Sequence, residues 1–453
     1  MSEAASAQSP STRRILTGYF TLAGLYTLSA ALIWGVNTLF LLGAGLSFFE
    51  VFVANAAFSA GMVLFEVPTG VVADTLGRRI SFLLSVTVLA ATTLLYVGLA
   101  EVNAGVVAFA LVSVLMGLGF TFYSGAMEAW LVDALAVTGY SGALDAVFAR
   151  GQQITGAAML VGTVGGGLLG QIDLSLPYLV RSVLLVAVFA IAYAVMHDVG
   201  FAPRRVTVAE LPSEVARNAR DGVTYGWGQR PLRLLMLASF FQLGFMMWAF
   251  YASQPYLLDL LSSDAVWIAG LVTAGIALST IAGNQIVGVL SRRCGRRTTL
   301  LLGAAAVETC AAVALGLVSS FWAALPALFL IMGASGVTSP VRQAYLHAVV
   351  PSRQRATVVS FDSMISNTGG IGGQIGLGAV GESRSVGAAF VAGGFATAFA
   401  LPLLARVRAI GGPADRIVGS RAGVESPCAG SGLPDISAVE TDAHAARVPV
   451  RAS

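Results

Sequence analysis

The chain has 453 residues, of which 56% are hydrophobic and only 11% charged, against about 25% charged in an average soluble protein. An ordinary soluble enzyme is excluded, because burial in water-soluble cores does not account for a mean hydropathy of +0.80 spread over most of the sequence. All 26 basic residues are arginine; without lysine there is no Walker A loop, Schiff base or pyridoxal site, which argues against an ATP motor, and a net charge of +3 gives no footprint for nucleic acid.

A helix needs about 20 apolar residues to cross a bilayer, and twelve stretches qualify, numbered spans one to twelve: residues 19–42, 48–73, 80–99, 104–134, 152–172, 176–197, 232–258, 265–290, 299–319, 321–348, 357–380 and 385–406. Residues 1–14 form an N-terminal tail whose Arg13-Arg14 pair has the look of an export signal, but the apolar stretch that follows is too long for one and reads as an uncleaved first span. Residues 15–197 and 232–408 are expected as two six-helix bundles. Between them the charged linker 198–231 predicts at most a weakly amphipathic helix around Leu211, Val215, Asn218 and Val223. The tail 409–453 is rich in Gly, Ala, Ser and Pro, has no apolar period and reads as disordered.

Loops that stay in the cytoplasm accumulate arginine. With the N-terminus inside, 23 of the 26 arginines fall on the cytoplasmic side and only Arg181, Arg342 and Arg384 do not, so both termini are expected to be cytoplasmic. The fold class expected is an all-α membrane protein of twelve transmembrane helices, set in a plasma membrane, and the Arg-, Ala- and Gly-rich usage is that of a GC-rich bacterial genome. Cys294, Cys310 and Cys428, like His197, His347 and His444, have no ligand spacing, so no metal, haem, disulfide framework or other cofactor is expected. Neither HExxH nor a nucleophile elbow is present, which argues against an enzyme.

The two halves repeat with an offset near 216: Gly70-Val-Val-Ala-Asp74-Thr-Leu-Gly77-Arg78-Arg79 is matched by Gly288-Val-Leu-Ser-Arg292-Arg293-Cys-Gly295-Arg296-Arg297, and Met116-Gly117 by Met332-Gly333. Parallel six-span repeats are the architecture of transporters that alternate access around a site between their halves. The Gly70 to Arg79 run resembles the signature loop of the major facilitator superfamily, with its degenerate copy in the expected place, and the resemblance covers residues 15–408. Gly162-Thr163-Val-Gly165-Gly166-Gly167 resembles the antiporter motif of drug exporters, with Thr163 where proline is usual. Arg220-Asp221-Gly222 through Arg230-Pro231-Leu232-Arg233 is similar to the central linker of bacterial drug and antibiotic exporters. One departure stands out: Ser113 occupies the span-four position where the family usually has an arginine tied to proton coupling.

Three groups of residues are candidates for the mechanism. The first is a conformational latch. Gly70 permits close helix approach, Asp74 is placed to meet the dipole of a neighbouring helix, expected from the resemblance to be span eleven, Gly77 permits a turn, and Arg78 and Arg79 offer forked donors. The resemblance supplies Asp133 as their acidic partner. The alternative is that the two arginines only fix topology. The second group is intramembrane charge, at about 2.5 to 3.5 kcal/mol per ionised residue at the bilayer centre: Glu128, Glu66, Asp362 and Arg342 are the proton-coupling candidates. Arg342 and Asp362 are also expected as a static ion pair. Glu308 falls midway along span nine, peripheral in the family, where packing or snorkelling is expected. The third group is a substrate surface of Trp34, Asn37, Gln242, Trp248, Tyr251 and Gln254, in which aromatic bodies with polar tips suit an amphipathic ligand, with packing as the alternative for each. The expectation is a secondary active transporter of small amphipathic molecules, working as a monomer in the lipid bilayer by proton-coupled efflux, or alternatively a proton-coupled uptake symporter.

Overall fold

The computed structural model describes residues 10–198, 220, 222–350 and 355–417. The first half comprises α1 (Pro10–Trp34), α2 (Asn37–Gly43), α3 (Phe48–Leu76), α4 (Arg78–Glu101), α5 (Val106–Tyr123), α6 (Ala126–Val137), α7 (Leu144–Ile172) and α8 (Leu176–Val195). A short π-type turn, Gly222–Trp227, precedes the second half, α9 (Arg230–Leu261), α10 (Val266–Arg293), α11 (Arg297–Leu317), α12 (Phe321–Val349), α13 (Arg355–Ser383), α14 (Val386–Ala398) and α15 (Ala400–Ile410). Among the described residues the sole β-contact is an isolated bridge between Arg296 and Arg416. The amphipathic helix expected around Leu211, Val215 and Asn218 lies outside the described residues.

Among the described residues, eleven helical spans are long and apolar enough to cross a membrane. The remaining expected span, α13, has 29 residues, about 44 Å at 1.5 Å per residue, and exceeds the hydrocarbon thickness. It falls short in hydropathy because it carries Asp362, Ser366, Asn367 and Gln374 among many glycines. Its packing accounts for this: α13 lies between α9 of its own half and α3 of the other, so its polar side chains face protein. The outward faces of peripheral helices carry exposed Leu94, Leu95, Val183, Val186, Trp322 and Leu330, as a chain bathed in lipid requires.

Three expected spans are broken. Span one stops at Trp34 and resumes as α2. Span four divides at Ser124-Gly125, where Gly125 takes φ +80°, a left-handed conformation that side chains disfavour. Span twelve divides at Phe399.

Backbone contact at glycine holds the bundles together, since lipid tails offer no hydrophobic drive for helix association. A side chain on Gly117 of α5 would lie 2.5 Å from the Phe58 carbonyl of α3, and in the second half one on Gly283 of α10 would lie 2.1 Å from the Gly333 carbonyl of α12. Gly166 of α7 abuts Leu32 of α1, and Gly373 of α13 abuts Gly244 of α9. The repeat seen in the letters is therefore a repeat of helix contacts. A methyl at position 373 would sit 2.0 Å from the Gly244 carbonyl, whereas one at Gly303 meets nothing within 4 Å. Gly373→Ala is expected to destabilise by about 1–3 kcal/mol and Gly303→Ala to be neutral or stabilising by up to about 1 kcal/mol, as read from thermal unfolding in detergent.

Candidate functional site

The halves meet at one end of the molecule, and at the other the glycines of the repeated loop stand clear of the described residues. At the closed end, Gly167 and Gly170 of α7 lie against Gly270 and Val266 of α10, and Gly378 and Gly381 of α13 lie against Phe52 and Phe48 of α3. A polar clasp joins α1 and α2 to α9: Gln254 Nε2 donates to the Trp34 carbonyl at 2.6 Å, Thr38 N donates to Gln254 Oε1 at 3.1 Å, and Thr38 Oγ1 donates to the Tyr251 carbonyl at 2.9 Å. Gln374 of α13 donates to Ser59 of α3 at 3.2 Å. At the opposite, arginine-rich end, a methyl on Gly70 or Gly288 would meet nothing within 4 Å. The close approach expected at Gly70 is thus not made in this conformation.

The signature loop is tied within its own half. Gly77, at φ +112°, ends α3 and starts α4. Asp74 does not reach span eleven; it accepts from Arg78 at 2.6 Å. Arg79 donates through Nη2 to the Tyr193 carbonyl at 2.7 Å, and its guanidinium lies 4.7 Å from the centre of the Tyr193 ring. The carboxylate that closes the turn is Asp198, which accepts from the Arg79 backbone N–H at 2.9 Å. Asp133 stands in α6, which the break at Gly125 makes a separate helix.

The second copy is closed in the same way by Asp415. Its two carboxylate oxygens accept from Thr298 N at 2.8 Å and Thr298 Oγ1 at 3.0 Å at the start of α11. Asp415 is buried, and Arg297 donates to the neighbouring Arg416 carbonyl. The expectation of disorder from residue 409 is corrected for 409–417, which complete α15 and form this cap. Asp198 and Asp415 escape sequence reasoning because each lies just beyond the last span of its half; their separation by the repeat offset is the available signal.

The intramembrane charges divide differently from expectation. Glu128 is exposed, not buried: it sits in the first turn of α6, and its electrostatic neighbours are Tyr19 and Tyr123. Glu66 is exposed near Gly70 at the open end. Arg342 and Asp362 form the expected ion pair, and Arg342 also lies 3.4 Å from Ser366 Oγ. Glu308 is not peripheral in surroundings. It is 2% exposed, accepts from Gln242 Nε2 at 3.1 Å, and lines with Gln242, Arg342, Asp362, Ser366 and Asn367 a polar cavity of about 350 Å³ inside the second half. Ser113, in place of the family's arginine, is buried and hydrogen-bonded to Tyr96.

Of the expected substrate residues, Gln242 lines that cavity, Tyr251 lies beneath the clasp, and Trp34 and Gln254 form the clasp itself. Asn37 bridges Tyr178 Oη at 2.9 Å and Asn55 at 3.0 Å. Trp248 is corrected: it is fully buried among Phe52, Phe245 and Phe390 and belongs to the core.

Two helical bundles joined at one end, with a cavity lined by polar side chains inside the second, make up an all-helical, multi-pass architecture. The Major Facilitator Superfamily model matches residues 235–439. The chain is 27% identical over 264 residues to the "Tetracycline resistance protein, class D" of Salmonella ordonez, covering 57% of this chain and 62% of that protein. It thus spans less than two-thirds of that relative's length. Solved structures with the same fold include the nucleoside transporter NupG, with a TM-score of 0.70, 14% identity, and coverage of 87% of this chain and 98% of that one. The peptide transporter POT, as a point mutant, gives a TM-score of 0.68 and 15% identity over 87% of this chain and 94% of that one. The family model thus matches the second half of the chain, and these solved transporters share its all-helical fold.

The two caps give a direct test. Asp415→Ala and Asp198→Ala are each expected to cost about 1–2 kcal/mol, the usual loss for a helix N-cap, while Asp133→Ala is expected to change stability by less than about 0.5 kcal/mol, measured as denaturant midpoints of the detergent-purified protein.

Proposed function

We propose that the chain is a proton-coupled exporter of small amphipathic molecules that works by alternating access, and that this conformation faces the cytoplasm. The orientation rests on arginine: the open end is the arginine-rich one, so twelve spans with both termini inside place the opening toward the cytoplasm. The observation that carries the reading is the polar cavity of the second half, where the buried carboxylate of Glu308 shares about 350 Å³ with the Arg342–Asp362 pair. Ionisable groups at membrane depth are costly and mark ion pathways. The family's usual arginine on span four is replaced by the Ser113–Tyr96 hydrogen bond, so coupling is assigned to Glu308 with Asp362 and Arg342 rather than to that span. Glu128, at the mouth, and Glu66, beside the uncovered Gly70, are assigned to the passage of protons or substrate between cytoplasm and cavity.

Alternation follows from where glycine is in contact and where it is free. Gly167 and Gly270 seal the closed end, while Gly70 and Gly288 face open space. Bare backbone at the open end is a surface on which that end closes in the opposite state, with Asp74, Arg78, Arg79 and Asp133 forming the latch. Export rather than uptake is favoured by the glycine motif of α7 and by the resistance protein among the relatives.

Inverted membrane vesicles from a pump-deleted host, with tetracycline as the first probe and other amphipathic drugs beside it, test the reading. Accumulation with proton release is expected for the wild type, with at least about a tenfold loss in Glu308→Gln. Outward movement together with protons identifies uptake instead, and no proton movement in either direction overturns both. Gly70→Leu is expected to leave the thermal midpoint unchanged, because the site is open here, yet to abolish transport; a fully active Gly70→Leu overturns closure at that face.

A further inference from the structure

Among the described residues, Arg342 and Arg181 lie inside the bundles at membrane depth, and they are treated differently. Arg342 has Asp362. Arg181, on α8 about 8 Å from the end of the helix nearest the clasp at 1.5 Å per residue, is 5% exposed, and its Nε, like that of Arg342, is sealed from solvent without a hydrogen-bond partner. No carboxylate pairs with it among the described residues. Its ionisable neighbours are three tyrosines: Tyr26 of α1, Tyr178 of its own helix and Tyr251 of α9. These come from both halves, so the guanidinium lies at the seam where the bundles meet. Tyr251 is only partly buried, and its carbonyl is fixed by Thr38 in the clasp. Tyr178 is fixed by its bond to Asn37, and Tyr26 by stacking on Tyr123 at 3.8 Å between ring centres.

A guanidinium stays charged under all ordinary conditions, and an unpaired charge at this depth is costly. Tyrosines supply hydroxyl donors and aromatic faces but no counter-charge. Tyr26 stacks on Tyr123, whose electrostatic neighbour is the exposed Glu128. We propose that Arg181, with the Tyr251 hydroxyl, binds the anionic group of the transported molecule, which is therefore an amphipathic acid: an aromatic or polycyclic body bearing a carboxylate or an equivalent acidic group. The inference deepens the exporter reading and rests on it for the word transported; the anion site itself does not.

The test uses the full chain in detergent and matched neutral and acidic probes: salicylate and salicylamide, 1-naphthoate and 1-naphthamide, xanthene-9-carboxylate and its carboxamide. At least one acid is expected to bind the wild type about tenfold more tightly than its amide, read by thermal shift and tryptophan quenching. Arg181→Gln removes that preference without changing amide binding, and Arg181→Lys keeps part of it. Tyr251→Phe is expected to weaken acid binding about fivefold; it leaves the buried charge in place and serves if Arg181→Gln does not fold. Equal affinity for every acid and amide in the wild type, no binding of any probe, or an acid preference that survives both variants overturns the proposal. Acid binding that depends on Arg181 in a protein whose vesicles move neither protons nor probe leaves the anion site standing and overturns the exporter reading. Transport of an acid that Arg181→Gln leaves unaltered does the reverse.

Discussion

Backbone touching backbone is the contact on which the rest of this molecule depends. In lipid a leucine gains nothing by leaving one apolar surface for another, so helices associate through van der Waals fit and hydrogen bonds, and the closest fit occurs where no side chain intervenes. Gly117, Gly166, Gly283 and Gly373 set the helix pairs inside each half, and Gly167 with Gly270 sets the seam between halves. The glycines of α7 serve both purposes: Gly162 and Gly166 face α1, Gly167 faces α10, and Gly170 touches both Val36 of its own half and Val266 of α10. One stretch of helix thus serves both the packing of a bundle and the seam between the halves, and glycines crowd into it.

Charge is distributed with the same economy. The two halves share a fold but not an interior: the first places an unneutralised guanidinium, Arg181, among tyrosines, and the second places Glu308 beside a neutralised pair. Both residues come from helices that lie at the periphery by chain order, α8 and α11, and both are long enough to reach inward. In the proposed exporter this gives the pathway a positive side and a negative one.

Much of the fold is legible in the letters because hydropathy is a strong signal over twenty residues and because the repeat supplies each element twice. The breaks at Trp34, Gly125 and Phe399 are not legible, since single turns of irregular backbone do not interrupt an apolar count. The site is less legible, for a physical reason. Depth along a span can be counted, but rotation about the helix axis cannot when lipid-facing and core-facing residues are equally apolar. Glu128 and Trp248 show this: both have the right depth for a cavity, yet one is exposed and the other lies in a packed aromatic core. Arg342 and Asp362 are recoverable because opposite charges at matching depth on consecutive spans restrict each other's rotation. Glu308 is hidden because rank in the chain tells where a helix stands, not which way its side chain points.

Asp198 and Asp415 tie the end of each half to the start of its third long helix. Each bundle is thereby fastened head to waist into a closed loop, like a strap buckled back upon itself. A body fastened in this way resists shear among its own helices. For the alternating access proposed above, two short acidic side chains thus favour stiffness within each half and slip between them.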